Sequence, residues 1–391
     1  MDKPYYPFKP IGSLDALATT LGVHPKLLTD FSNKANDSYV KFEIVSKSNK
    51  RRTVYEPKFE LKRLQKRINS RIFEKVEYPV YLHGGISDEI NKRDYVENAK
   101  LHAKSNTLIC LDIKDFYGSI LLDHVFDVFK NFFHFPPDVS SLLTKLVTLN
   151  GNVPQGACTS SYLANLVFFN SEYNLVSRFR GRGVTYSRLL DDVTLSSNDK
   201  LSDTLVQKYI EEVSKLFAKY SLHIKNKKTR VHIKSDHSKP YDVTGLWVGH
   251  SSPRLRKSDR RNIRHEVFLC EKEFEFDSTS EKYHKQWNRV SGLVAKMQRL
   301  QHSQAKILRQ RLSKVLPTYS DADAAAVIRD ANKILNAKKK ENMKIGELNR
   351  INRVLYSLGI LGRTNSGKAK SLGKNIRAKY NNLPGKRAFW V

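Results

Sequence analysis

Two adjacent carboxylates, Asp191 and Asp192, interrupt the β-like stretch "VTYSRLLDDVTLSS" (residues 184–197). Neighbouring anions repel, and strand interiors favour apolar or β-branched residues, so the pair does not belong inside a strand. It belongs at a hairpin tip with a strand on either side. Asp is a common turn former, and a surface turn alone would account for it. A further acid raises another reading. "TLICLDIKDFYGSI" (107–120) is an apolar strand that ends in Asp112 and then turns towards a helix.

Charge indicates what such acids would serve. The 391 residues carry 69 Lys+Arg against 39 Asp+Glu, a formal net charge of +30. That excess points to a polyanion, nucleic acid above all, because binding it releases condensed counterions. Joining a nucleotide to a 3′ hydroxyl uses two divalent cations about 3.5–4 Å apart, one at the attacking oxygen and one at the leaving phosphate. Mg²⁺ takes carboxylate oxygens, supplied sparsely so that substrate phosphates complete its octahedron. Asp112 at a strand end, facing Asp191 and Asp192 at a hairpin tip, would meet that need. Bound metal makes such clustered anions tolerable.

The rest of the pattern is α+β. Residues 12–32 read as one or two short helices with Ser13 as N-cap. "RRTVYEPKFELKRLQKRINSRIFEKV" is extended up to Pro57 and then helical, with Leu61, Leu64, Ile68 and Ile72 on one face. Its other face carries Lys62, Arg63, Lys66, Arg67 and Arg71, which suits solvent or a phosphate backbone. A loop with Pro154 and Gly156 enters a helix rich in small residues, and a strand pair surrounds Gly245. Helical patterning runs from about residue 255 to 316. Residues 331–391 hold 15 Lys+Arg and two acids, a local balance of +13, and are expected to be flexible until they meet a partner.

With 40% hydrophobic residues the chain can build two or three domains. Cys110, Cys158 and Cys270 are odd in number and unpaired in spacing, which argues against a disulfide framework and a zinc site and fits a reducing compartment. "MDKPYYPFKP" has no apolar signal region, and no apolar run approaches 18 residues, so a soluble cytoplasmic protein without membrane partner is expected.

"LDIKDFYGSI", "VPQGACTSSYLANLVF", "YSRLLDDVTLSS", "IKNKKT" and "VTGLWVG" follow one another in this order. Together they resemble the successive palm motifs of reverse transcriptases. "RRTVYEPKFELKRLQ", "ENAKLHAK" and the "VTG" bring the resemblance to the bacterial retron-type branch, over about residues 13–315. Linked motifs in order are far more specific than any one of them.

The resemblance implies a right-hand polymerase. It divides into an N-terminal helical segment (1–45), fingers (46–106), a palm with an antiparallel sheet (107–250), a helical thumb (251–320) and a basic C-terminal extension (321–391). It implies two Mg²⁺ ions, or Mn²⁺ in their place, on Asp112, the backbone carbonyl of Ile113, Asp191 and Asp192. Tyr117, next to Phe116, matches the gate that excludes a 2′ hydroxyl; without the motif it reads as a core aromatic. Pro154, Gln155 and Gly156 match the loop that positions the incoming nucleotide and the template base, and Asn165 lies on the helix behind them. Lys228, with Lys227 as alternate, matches the lysine at the pyrophosphate leaving group. Arg52 and Lys62 are the candidates for triphosphate contacts.

Asn98 and His102, with Val243, Thr244 and Gly245, match elements associated with a cognate structured RNA; otherwise His102 reads as a satisfied structural residue. "RLRKSDRRNIRHEV" (254–267) would open the thumb and grip the duplex backbone. The family pattern has Tyr and a small residue where this chain has Leu189 and Leu190, and prolines where it has Cys158 and Ser161.

The implied activity is RNA-directed DNA synthesis from dNTPs, copying a noncoding RNA into a DNA product in bacterial antiphage defence. A second copy of the chain or an accessory defence protein would be a further partner. The alternatives are a catalytically degenerate RNA-binding scaffold and a template-independent or protein-primed DNA polymerase.

Overall fold

The computed structural model describes residues 2–45, 49, 51–338 and 343–390. Lys339, Lys340 and Glu341 of the basic tail, and residue 46 where the fingers were expected to begin, lie outside them. The described chain forms two compact units. One runs up to Pro253 and takes in Trp390, and the other is Arg254–Phe389.

In the first unit, helix Leu14–Leu21 starts at Ser13, whose hydroxyl accepts from the Ala16 amide at 3.1 Å. It stops at Gly22, which supplies the left-handed conformation of a C-cap (φ 62°). Strands β1 (Tyr39–Val45) and β2 (Arg51–Pro57) pair as an antiparallel ribbon. Pro57 ends the ribbon, and helix Phe59–Arg71 follows with Leu61, Leu64 and Ile68 buried. Its basic face is partly committed within the fold. Arg67 donates to the carbonyls of Leu21 and Gly22, and Arg71 to that of Thr20, so both occupy the open carbonyls at the end of helix Leu14–Leu21.

The central sheet holds β3 (Leu82–His83), β4 (Thr107–Asp112), β5 (Val184–Leu189), β6 (Asp192–Ser197) and β7 (Arg230–Ile233), in the order β3-β5-β6-β4-β7. All pairings are antiparallel except the edge pair β3–β5, so the sheet expected to be antiparallel carries one parallel edge. Every residue of β4 is buried, as its unbroken apolar run requires. Strands β8 (Asp242–Val243) and β9 (Leu246–Trp247) pair through Thr244 (φ 49°) and Gly245 (φ 78°). Two positive φ values in a two-residue loop are the type I′ hairpin pattern.

The second unit is helical. Lys257–Phe276, Glu281–Arg299 and Ala305–Lys314 pack together, as the patterning indicated. The basic tail departs from its expected flexibility. Helices Asp321–Asn336, Ile345–Leu361 and Ser366–Lys379 pack pairwise around Ala331, Ile334, Ile351, Val354, Leu358, Leu372 and Ile376. Its apolar residues recur at helical spacing and bury one another, leaving Lys and Arg outside. Among the described residues, no helix is long and apolar enough to cross a membrane.

Candidate active site

A cavity of about 840 Å³ opens at the end of β4. Its lining includes Asp112, Ile113, Phe116, Tyr117, Pro154, Gln155, Asp191, Arg52 and Lys228. Asp112 is the last residue of β4 and faces Asp192 across the β4–β6 ladder. Leu190 and Asp191 form the two-residue turn between β5 and β6, whose flanking pair is Leu189 with Asp192. The Ile113 amide donates to the Asp191 carbonyl at 3.0 Å, so backbone fixes the tip against the end of β4.

The remaining walls are fastened in the same way. The Lys225 amide donates to the Asp112 carbonyl at 2.7 Å and anchors the short turn Asn226–Lys228. The Tyr55 amide of β2 donates to the Gln155 carbonyl at 2.8 Å. Gly156 has φ 111°, and a Cβ there would stand 2.9 Å from the Tyr55 carbonyl oxygen. Glycine is needed at that position so that the loop can lie against the ribbon that carries Arg52. Tyr117 is half-buried, with its hydroxyl 3.4 Å from Ser161 Oγ.

Electrostatically the site sets clustered acids beside cations: Arg51, Arg52, Lys114, Lys225 and Lys228 line the same cavity. Burial pushes the Asp191 carboxyl above its ordinary range, and the Asp112 charge adds to this, while Lys228 and Arg52 oppose it. The surface of Asp192 is open, yet the protein around its carboxyl, and then the charges of Asp191 and Asp112, push it up to about 6. The Lys228 ammonium pairs directly with the Asp112 carboxylate. Among the described residues no three Asp, Glu, His or Cys side chains form a preformed metal cage. Two carboxylates and a carbonyl, all oxygen donors, fit Mg²⁺, which takes few protein ligands and keeps positions for phosphate and water.

Not every candidate reaches this cavity. Asp192 stands beside it without being among its lining residues, and Lys62 is held by Glu56 at 2.6 Å and lies outside the lining. Asn165 is buried, donating to the carbonyls of Gly84 and Ser161. The residues expected at RNA divide: Thr244 is partly exposed and Gly245 exposed at their hairpin, whereas the others lie inside the fold. Asn98 and His102 are fully buried. His102 bridges Ser196 Oγ at 2.8 Å and Ser187 Oγ at 2.7 Å, and the Ser187 hydroxyl donates to Asn98. These side chains pin helix Tyr95–Leu101 to the back of β5 and β6 and offer no surface to RNA. Val243 is buried too, and the Thr244 hydroxyl donates to the Tyr95 carbonyl, which ties the two elements together.

Arg51, Tyr55 and Lys225 line the cavity without having been anticipated. Their only signal was proximity to Arg52 and to the "IKNKKT" run. Arg188, a charge inside a strand pattern, was the other overlooked anomaly.

The reverse transcriptase (RNA-dependent DNA polymerase) family model matches residues 41–248. The chain is 45% identical over 379 residues to the retron Se72 reverse transcriptase of Salmonella heidelberg, covering 97% of this chain and 99% of that protein. It is 32% identical to the retron Ec48 reverse transcriptase of Escherichia coli, over 94% of this chain and 92% of that one. A third relative, the E. coli retron Ec86 reverse transcriptase, is 30% identical over 58% of this chain and 68% of its own length. The chain therefore belongs to the retron-type reverse transcriptases and is an RNA-directed DNA polymerase.

Proposed function

We propose that the protein copies a cognate noncoding RNA into DNA at the Asp112/Asp191 cavity and that this DNA synthesis serves bacterial antiphage defence. The observation that carries the site assignment is the convergence of Asp112, Asp191, Arg52, Gln155, Tyr117 and Lys228 on one cavity of nucleotide size. Near-full-length similarity to retron reverse transcriptases supports a dedicated RNA template. The defence role rests on the resemblance to bacterial defence-associated reverse transcriptases, which share this palm and add terminal extensions of their own.

Asp112, Asp191 and the Ile113 carbonyl would hold the divalent metal, with Asp192 beside them. When bound, the metal supplies activation of the 3′ hydroxyl and neutralisation of the leaving phosphate. The protein's own residues act around that chemistry. Arg52 and Arg51 draw the triphosphate into the pocket. The Tyr117 ring closes the space a 2′ hydroxyl would need. Gln155 offers both donor and acceptor to the nucleotide. Lys228 screens Asp112 before substrate arrives and is placed to neutralise the departing pyrophosphate.

The test is labelled dNTP incorporation by the purified RNA–protein complex with Mg²⁺. We expect Asp191→Ala/Asp192→Ala to lose incorporation while keeping RNA binding, and equal incorporation would overturn the site assignment. Plaque assays with the same pair test the defence role. Protection that survives the double substitution would separate defence from DNA synthesis.

A further inference from the structure

Among the described residues, one of the largest fully buried side chains belongs to Arg188, two residues before the Leu190–Asp191 turn. Its guanidinium meets Glu172 in a fork, Nε to Oε1 at 2.6 Å and Nη2 to Oε2 at 2.9 Å. Nη1 donates to the carbonyls of Ala164 at 3.0 Å and Leu190 at 3.3 Å, and Nη2 to that of Asn165 at 3.2 Å. All five N–H donors of an arginine are thereby used. The flat cation also lies 5.0 Å from the Phe168 ring centroid and 5.9 Å from that of Phe116.

Three parts of the site meet on this one group. Leu190 is the turn residue next to Asp191. Ala164 and Asn165 lie in the last turn of the helix that follows the Pro154–Gly156 loop. Phe116 lies between Asp112 and the gate residue Tyr117. Leu190 sits at φ 58°, where a leucine is strained by about 1–2 kcal/mol. The hydrogen bond from Arg188 to its carbonyl opposes relaxation of that turn.

We propose that Arg188, oriented by Glu172, is a positioning residue that sets the Asp191 turn against β4 and against the gate. It does from beneath the backbone what this chain does not assign to a side chain at Leu189 or Leu190. The inference rests on the reading that Asp112 and Asp191 carry the chemistry. The ion pair itself is weak evidence of a stabilising role. What sets this group apart is that its remaining hydrogen bonds, including that of the Tyr186 hydroxyl to Glu172, fasten the segments around the turn.

The test is single-nucleotide addition by the full-length protein on an RNA template with annealed DNA primer and Mg²⁺. Arg188→Met/Glu172→Leu removes both charges together. Because the Tyr186 hydroxyl and three carbonyls lose their partners, we expect a lower melting temperature. In the folded variant we expect kcat down about 100-fold with KM for dNTP within about threefold, the signature of lost alignment. Wild-type kcat in the folded double variant would overturn the proposal. If that variant does not fold, Arg188→Lys decides, since it keeps the charge and loses the fork. There we expect kcat to fall with little change in KM; unchanged kcat, or loss of folding here too, would overturn the positioning role. Asp191→Ala in parallel separates the two readings. Activity retained in that variant removes the acids from the site, whereas its inactivity beside a fully active pair variant sinks only the role of Arg188.

Discussion

His102 shows how burial decides what a titratable side chain can do. Burial, with a smaller contribution from neighbouring His83, lowers its pKa to about 3 from the ordinary 6.5. Between those values the unfolded chain binds a proton at this position that the folded chain does not. Stability from this group is therefore complete above pH 6.5 and is lost as pH falls towards 3. We expect the slope to be about 1.4 kcal/mol per pH unit inside that window. His83, lowered to about 4 by burial and then by the charge of Arg93, adds a second slope of the same sign. Urea unfolding of His102→Gln at pH 7, 6 and 5 should show a shallower acid slope than the wild type, by the same linkage. An unchanged slope would mean that His102 takes up a proton in the fold.

Among the elements, helix Phe59–Arg71 separates two uses of positive charge. From sequence its basic face suited a phosphate backbone, but Arg67 and Arg71 are turned onto the end of helix Leu14–Leu21. Hydrogen bonds from a charged donor to otherwise open carbonyls contribute about 1.5–3 kcal/mol, less where water reaches them. We expect Arg67→Ala/Arg71→Ala to lower the melting temperature and to leave the salt dependence of RNA binding unchanged. A shallower salt dependence with unchanged melting would place these side chains at phosphates. The β5–β6 hairpin makes the complementary point. Its strands and acids were readable from alternation and spacing, whereas the left-handed Leu190 was not, because leucine carries no signal for that conformation.

Across the whole molecule, the +30 charge is unevenly spread, and the helical tail carries much of it. Helix Ser366–Lys379 contains no acid, and Lys370, Lys374 and Arg377 follow one another at helical spacing on its exposed side. Each phosphate contact contributes about 0.7–0.9 to the slope of log affinity against log salt. Replacing all three by Gln should therefore flatten that slope by about 2 for RNA while the melting temperature stays unchanged. An unaltered slope would assign the tail to product strand or protein contacts. Because these cations ring a buried apolar core, the tail presents them on a preformed surface.

The sequence by itself determined the family, the α+β course of the chain, the hairpin carrying Asp191 and Asp192, and the strand ending in Asp112. Those features are local or serial: periodicity, turn chemistry and the order of motifs survive without three-dimensional contact. Only the tertiary structure decided which charges face the cavity and which are used inside the fold. Lys62, Asn98, His102, Arg67 and Arg71 turned inward or aside, and Arg188 and Glu172 met 16 residues apart beneath the site. A polar side chain looks the same in sequence whether it greets substrate or satisfies a buried carbonyl. The difference is desolvation, and desolvation is settled by what the rest of the chain packs against it.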